Sequence, residues 1–278
     1  MSSPVRRLLK FIAILPIVAY VSVVGMMLLM ETELLFHPPE RGADQLAEAA
    51  AASGAREVRL MTEDGVSLYG WRFRSKSERA VLYFSGNGDS VGDSTLLYQR
   101  LHRAGLNVLH VNYRGYPGSE GAPDEEGLRK DARAAWRLLM EDFKPHQVTL
   151  LGYSLGGGIA TGLAAEVNPR ALVLMSTFTS AADVAQETYP FVPAKLLMKN
   201  RFDSTALAAK VKAPALILHG TKDTFIRPNH AEGLAAAFDE RPDILWIQGA
   251  GHSDDLLGEP RALEALLALT QPVEKTRR

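Results

Sequence analysis

The chain has 278 residues, 46% of them apolar, and a formal net charge of -1 made of 31 basic and 32 acidic residues spread along its length. That is enough to bury a sizeable core, and it excludes a disordered chain as well as the basic patch that a nucleic-acid partner requires. There is no cysteine, which excludes disulfides, thiolate metal ligands and a cysteine nucleophile but leaves the compartment open.

Phe11 to Met30 carries no charge, and its 20 residues are enough, as a helix, to cross the roughly 30 Å of a bilayer core. Arg6, Arg7 and Lys10 precede the run, and Glu31 and Glu33 follow it. The positive-inside rule therefore puts residues 1–10 in the cytoplasm and everything after Met30 on the far side, the periplasm if the source is bacterial. A cleaved signal peptide competes, but Met30-Glu31-Thr32-Glu33 offers no small-x-small site, and a buried core helix is the third reading. We read an uncleaved anchor over 11–30, then a linker over 31–55 with a short helix from Gln45 to Ala52.

Beyond Arg56, apolar and β-branched runs at Glu57 to Met61, Ser67 to Phe73, Ala80 to Phe84, Leu106 to Val111, Gln147 to Leu151, Ala171 to Met175, Ala215 to His219 and Ile244 to Ile247 predict strands. Asp64-Gly65 marks a hairpin between the first two. Helical patterns occupy Ser94 to Arg103, Glu125 to Glu141, Leu155 to Glu166, Asn229 to Phe238 and Pro260 to Thr270. An opening hairpin followed by repeated βα units predicts an α/β domain over 56–278, with a mostly parallel eight-stranded sheet and helices on both faces. Ser176 to Lys212 lacks a clear strand and suits a small helical cap over the strand ends.

Gly152-Tyr153-Ser154-Leu155-Gly156 joins a predicted strand to a predicted helix. In that setting a serine at the sharp turn stands clear of the sheet, and the flanking glycines let strand and helix approach. A serine hydroxyl needs a base, and the base an orienting carboxylate. Asp223 lies past the strand ending at His219, and His252 follows the last strand in Gly249-Ala250-Gly251-His252. An aspartate after a strand is, by itself, more often a turn residue. Of the other histidines, His37 and His146 sit beside prolines, His102 and His230 fall in helices, His110 lies within a strand and His219 ends one. Only His252 combines a loop after the final strand with flanking glycines. The order serine, aspartate, histidine supports Ser154, Asp223 and His252 as a catalytic triad.

Charge developing on a carbonyl oxygen calls for two backbone N–H groups. Leu155, just after the nucleophile, offers one, and Asn87 in Ser85-Gly86-Asn87-Gly88 offers the second. The same glycines invite a dinucleotide-binding reading, which fails because Val91 stands where the third glycine is needed and Val111-Asn112-Tyr113-Arg114 lacks the acidic residue for a ribose. No Walker A, H-E-x-x-H or EF-hand pattern occurs, so no cofactor or metal is implied.

Together with Asn112 to Gly121, Ser176 to Ser180, His219 to Asp223 and Gly249 to Asp254, these motifs make six in a fixed order. The chain resembles membrane-anchored α/β-hydrolases of the Bem46 kind, related to the animal hydrolase-domain proteins that include lysophospholipases and depalmitoylating thioesterases. The resemblance implies the α/β-hydrolase fold, Ser154 as nucleophile, Asp223 as orienting acid, His252 as base, and Asn87 and Leu155 at the oxyanion hole. One departure is that the relatives usually read His-Gly-Asn-Ala-Gly where this chain has Ser85-Gly86-Asn87-Gly88-Asp89. The expected activity is serine-dependent cleavage of esters or thioesters of acyl or lipid-like substrates. A peptidase of the same fold and a non-catalytic anchored binding module are the alternatives. Phe178, Tyr189, Phe191, Val192, Leu196, Leu197, Met198 and Phe202 of the expected cap either pack it on the sheet or line an acyl groove, and the sequence leaves both open.

Overall fold

A computed structural model describes the backbone of residues 3–271 and the side chains from Ile12 to Gln271; residues 1–2 and 272–278, and the side chains of the predicted cytoplasmic tail, lie outside the described residues. Strands β1 (Arg56–Met61), β2 (Ser67–Phe73), β3 (Ala80–Phe84), β4 (Asn107–Val111), β5 (Val148–Tyr153), β6 (Ala171–Met175), β7 (Ala215–Gly220) and β8 (Asp243–Ile247) form one sheet in the order β1-β2-β4-β3-β5-β6-β7-β8. The β1–β2 and β2–β4 pairs are antiparallel, and all others are parallel. The eight predicted strands and the opening hairpin are therefore present, with ends shifted by one or two residues.

Side-chain alternation sorts each central strand between two cores. Leu82, Phe84, Leu172 and Leu174 point to one face, and Val81, Tyr83, Val173 and Met175 to the other. The helices are α1 (Ser3–Leu29), α2 (Glu31–Leu35), α3 (Ala43–Ser53), α4 (Thr95–Arg103), α5 (Glu125–Met140), α6 (Leu155–Glu166), α7 (Ala181–Thr188), α8 (Ala194–Leu197), α9 (Ser204–Ala208), α10 (Pro228–Ala236) and α11 (Pro260–Thr270). The first core takes Leu128 and Leu139 of α5, Ile159 and Leu163 of α6 and Leu234 of α10; the second takes Tyr98 and Leu101 of α4 and Leu266 of α11. With both faces covered, β3, β4 and β6 are buried along their whole length, and β3 and β6 read as unbroken apolar runs. Helix α5 starts where the Asp124 carboxylate accepts from Gly127 N at 2.6 Å, with Glu125 and Glu126 favourably placed in its first turn.

The segment 31–55 differs from the spacer expected of it. Phe36 is 3% exposed and meets Phe202 edge-on at 6.2 Å, while Leu46 and Ala50 of α3 join the second core. Few large apolar residues mark this stretch, so its burial is not apparent from composition. Helices α7, α8 and α9 occupy the stretch expected as a cap, between β6 and β7. Phe178 and Phe202 pack within the first core, whereas Phe191 and Leu196 are exposed.

His110 of β4 is buried with a complete hydrogen-bond set. The Tyr98 hydroxyl donates to Val91 O at 2.9 Å, so His110 Nδ1 donates to the Tyr98 oxygen at 2.5 Å and Nε2 accepts from Ser85 Oγ at 3.0 Å. Burial pushes the His110 pKa down from 6.5 to about 3. His219 and His230 move the same way, again through burial. The unfolded chain therefore binds protons between these values that the fold refuses, so stability is full above pH 6.5 and falls as pH drops below it. Thermal unfolding should show a lower Tm at about pH 5 than at about pH 7, and an unchanged Tm would mean that these imidazoles charge within the fold.

Candidate active site

Ser154 lies between the end of β5 and the first residue of α6, at φ 52° and ψ -118°. A non-glycine residue rarely holds a positive φ, and such a conformation persists only where its surroundings impose it. Here Ser154 N donates to Met175 O at 2.9 Å and its carbonyl accepts from Thr177 Oγ1 at 2.8 Å. Gly156 is required for the same geometry, because a Cβ there would collide with the Phe84 carbonyl. The turn holds the Ser154 hydroxyl 3.1 Å from His252 Nε2.

His252 Nδ1 lies 2.8 Å from Asp223 Oδ2, while Asp223 Oδ1 accepts from Phe225 N at 3.0 Å and Ile226 N at 2.8 Å. With the carboxylate accepting at Nδ1, the imidazole keeps its Nε2 lone pair for the serine proton. The loops bearing Asp223 and His252 can approach because Gly220 has no Cβ to strike the Ala250 carbonyl. Two rings fix the imidazole plane: Tyr153 stacks on it at 5.6 Å and Phe225 meets it edge-on at 5.0 Å. The Tyr153 hydroxyl also donates to His252 O at 3.0 Å. His219, 3.6 Å from Asp223, spends its Nε2–H on Ile226 O at 2.9 Å, and so takes no part in the chain of contacts to Ser154.

As the first residue of α6, Leu155 has an N–H with no intrahelical acceptor. The Asn87 side-chain amide is already engaged, donating to Leu35 O at 3.0 Å and facing His37 Nδ1 at 3.1 Å. What Asn87 can offer a substrate is its backbone N–H. The motif Asn112 to Gly121 explains how that loop is held: Tyr113 donates to Ser85 O at 2.8 Å and Tyr116 to Asn87 O at 2.6 Å. Neither tyrosine stood out in the sequence, although both lie in a quoted motif. His37, read as a loop histidine, comes to the site through a contact 50 residues away in the chain.

A family model described as the alpha/beta hydrolase fold matches residues 79–210. An uncharacterized protein of Mycobacterium tuberculosis, Rv2307c, is 36% identical over 264 residues, covering 92% of this chain and 94% of that protein. The alpha/beta hydrolase domain-containing protein 17B of Homo sapiens is 31% identical over 196 residues, 68% of this chain and 65% of its own length. The chain belongs to the α/β-hydrolase family. Among solved structures, the Pyrococcus furiosus esterase Pf2001 has the same fold at TM-score 0.68 and 17% identity, covering 84% of the hydrolase and 96% of that chain. A puromycin-hydrolyzing peptidase of Mycobacterium tuberculosis superposes at TM-score 0.65 and 20% identity, with 78% and 39% covered. These two likenesses are of fold. The family resemblance read from the six motifs is borne out.

The hydrolase has a cavity of about 340 Å³, a volume in the range of small-molecule sites. Its lining includes Asn87 and Phe225, the ring that meets His252. The cap contributes Val184, Tyr189, Val192 and Met198.

Proposed function

We propose that this hydrolase is a membrane-anchored serine hydrolase that cleaves carboxylic ester or thioester bonds of acyl or lipid-like substrates through Ser154, Asp223 and His252. The observation that carries this reading is the unbroken chain of contacts, 3.1 Å from Ser154 Oγ to His252 Nε2 and 2.8 Å from His252 Nδ1 to Asp223 Oδ2. His252 takes the Ser154 proton as Oγ attacks the carbonyl carbon, and Asp223 stabilises the imidazolium. The oxyanion is met by the N–H groups of Leu155 and Asn87. Collapse expels the alcohol or thiol, which takes the proton from His252, and leaves an acyl group on Ser154. Water, deprotonated by His252, then adds to the acyl carbon, the bond to Ser154 Oγ breaks to release the acid, and His252 returns the proton to Ser154.

The anchor in this reading is the run 11–30. Ile12–Leu29 is long and apolar enough to cross a bilayer and lies almost wholly outside the folded body, as a helix facing lipid would. The charge bias across the run favours the catalytic domain, 56–278 with its cap at about 176–212, on the extracytoplasmic side.

The test is to expose the full chain in detergent micelles to a fluorophosphonate probe and to matched acyl ester and acyl anilide substrates. Labelling is expected, with ester turnover well above anilide turnover. Folded protein that takes no label would make it a binding module, and faster anilide turnover would make it a peptidase.

A further inference from the structure

Residues of the membrane-spanning run itself complete the cavity. Met27 and Leu28 at the end of α1, with Leu34 and Leu35 of α2, form the wall facing the cap. A buried carboxylate locks this arrangement. Glu31, 8% exposed at the start of α2, accepts from Asn200 N at 2.7 Å, Asn200 Nδ2 at 2.9 Å and Lys199 N at 3.1 Å, all in the cap segment. A little earlier in α1, the Tyr20 hydroxyl donates to Phe191 O at 2.7 Å.

That second contact fixes depth. Tyr20 lies nine residues before Leu29, about 14 Å of helix rise, so it falls well inside the apolar run. A bilayer around Ile12–Leu29 that covers Tyr20 also covers the residues touching it. Tyr189, Phe191, Leu196 and Leu197 of the cap are 38%, 55%, 78% and 38% exposed, an apolar face continuous with the exposed side of α1. Lys195, Lys199 and Arg201, all exposed, follow the same stretch of chain, Lys195 pairing with Asp183 at 2.6 Å. An apolar face accompanied by exposed cations is the composition of an element seated in a membrane surface, its lysines reaching back to the headgroups.

We propose that the cap face rests in the bilayer and that the cavity is a lateral portal, through which the acyl chain of a membrane lipid slides between α1 and the cap to reach Ser154. The occupant is a bilayer lipid because the portal walls are continuous with the membrane-spanning helix. The proposal rests on the serine-hydrolase reading for what happens at Ser154, and on the anchor for its depth.

Two measurements on the full chain reconstituted in phosphatidylcholine vesicles separate these dependences. Because the chain has no cysteine, Leu196→Cys and Glu240→Cys each give one site for an environment-sensitive fluorophore. The label at 196 should be quenched by lipids spin-labelled in the acyl chain and shielded from iodide, and the label at 240 should behave the opposite way. Iodide quenching of 196 as strong as that of 240 overturns the proposal. In the second measurement, Leu34→Trp narrows the portal wall, and the ratio of decanoyl-ester to acetyl-ester turnover should fall about tenfold, the worth of roughly two buried methylenes. An unchanged ratio overturns the portal. If wild-type protein turns over neither ester, the serine-hydrolase reading fails, and fluorophore quenching alone decides whether the cap lies in the bilayer.

Discussion

Ser154→Ala is expected to abolish both fluorophosphonate labelling and ester hydrolysis, with kcat falling by about 10⁶, the scale of losing a triad nucleophile. The reason is positional. Ser154 is held in a strained turn with an imidazole nitrogen 3.1 Å from its hydroxyl. Its nearest rival, Ser176, also has a positive φ, 44°, but it is fully buried and its hydroxyl contacts no base. His252→Ala should cost as much, and the double variant no more than either single one, because the two residues act as a unit. Retained labelling of Ser154→Ala would overturn the assignment, and additive losses would mean that His252 works independently.

For Asp223→Asn the expected result is a folded protein whose kcat is lower by about 10³ to 10⁴. An asparagine oxygen can still accept from Phe225 N and Ile226 N, which preserves the loop. Its amide group, however, presents N–H to His252 Nδ1, where the carboxylate accepted. The imidazole must then carry its proton on Nε2, the nitrogen that has to receive the serine proton. Unchanged kcat would move the acid role elsewhere. The sequence neighbours are poorly placed for it, since Asp254 Oδ2 accepts from Gly251 N at 2.7 Å and Asp255 pairs with Arg100.

What the sequence made legible follows from which forces are local. The central strands β3 and β6 could be read because burial on both faces leaves an uninterrupted apolar run, and elsewhere only strand ends moved: β5 extends to Tyr153 and β7 to Gly220. Ser154, Asp223 and His252 could be gathered because chain order and loop position after successive strands decide which side chains share a sheet edge. The surroundings of the site were not legible in that way. Tyr113 and Tyr116 hold the Asn87 loop through carbonyls 28 and 29 residues away, and no periodicity reports such contacts. The packing of Phe36, Leu46 and Ala50 was missed because a lone phenylalanine before two prolines, and one leucine in an otherwise alanine-rich helix, resemble an exposed linker. Glu31, read only as a charge ending the apolar run, is a buried acceptor, and its partners lie 168 and 169 residues away.

The strand order also separates the two halves of the site. The elbow bearing Ser154 needs only β3, β5 and β6 as neighbours, whereas His252 follows β8, an outer strand whose sole partner in the sheet is β7. The serine is thus shaped at the centre of the sheet while the imidazole facing it is carried at the edge, so fraying of β8 alone would part the two.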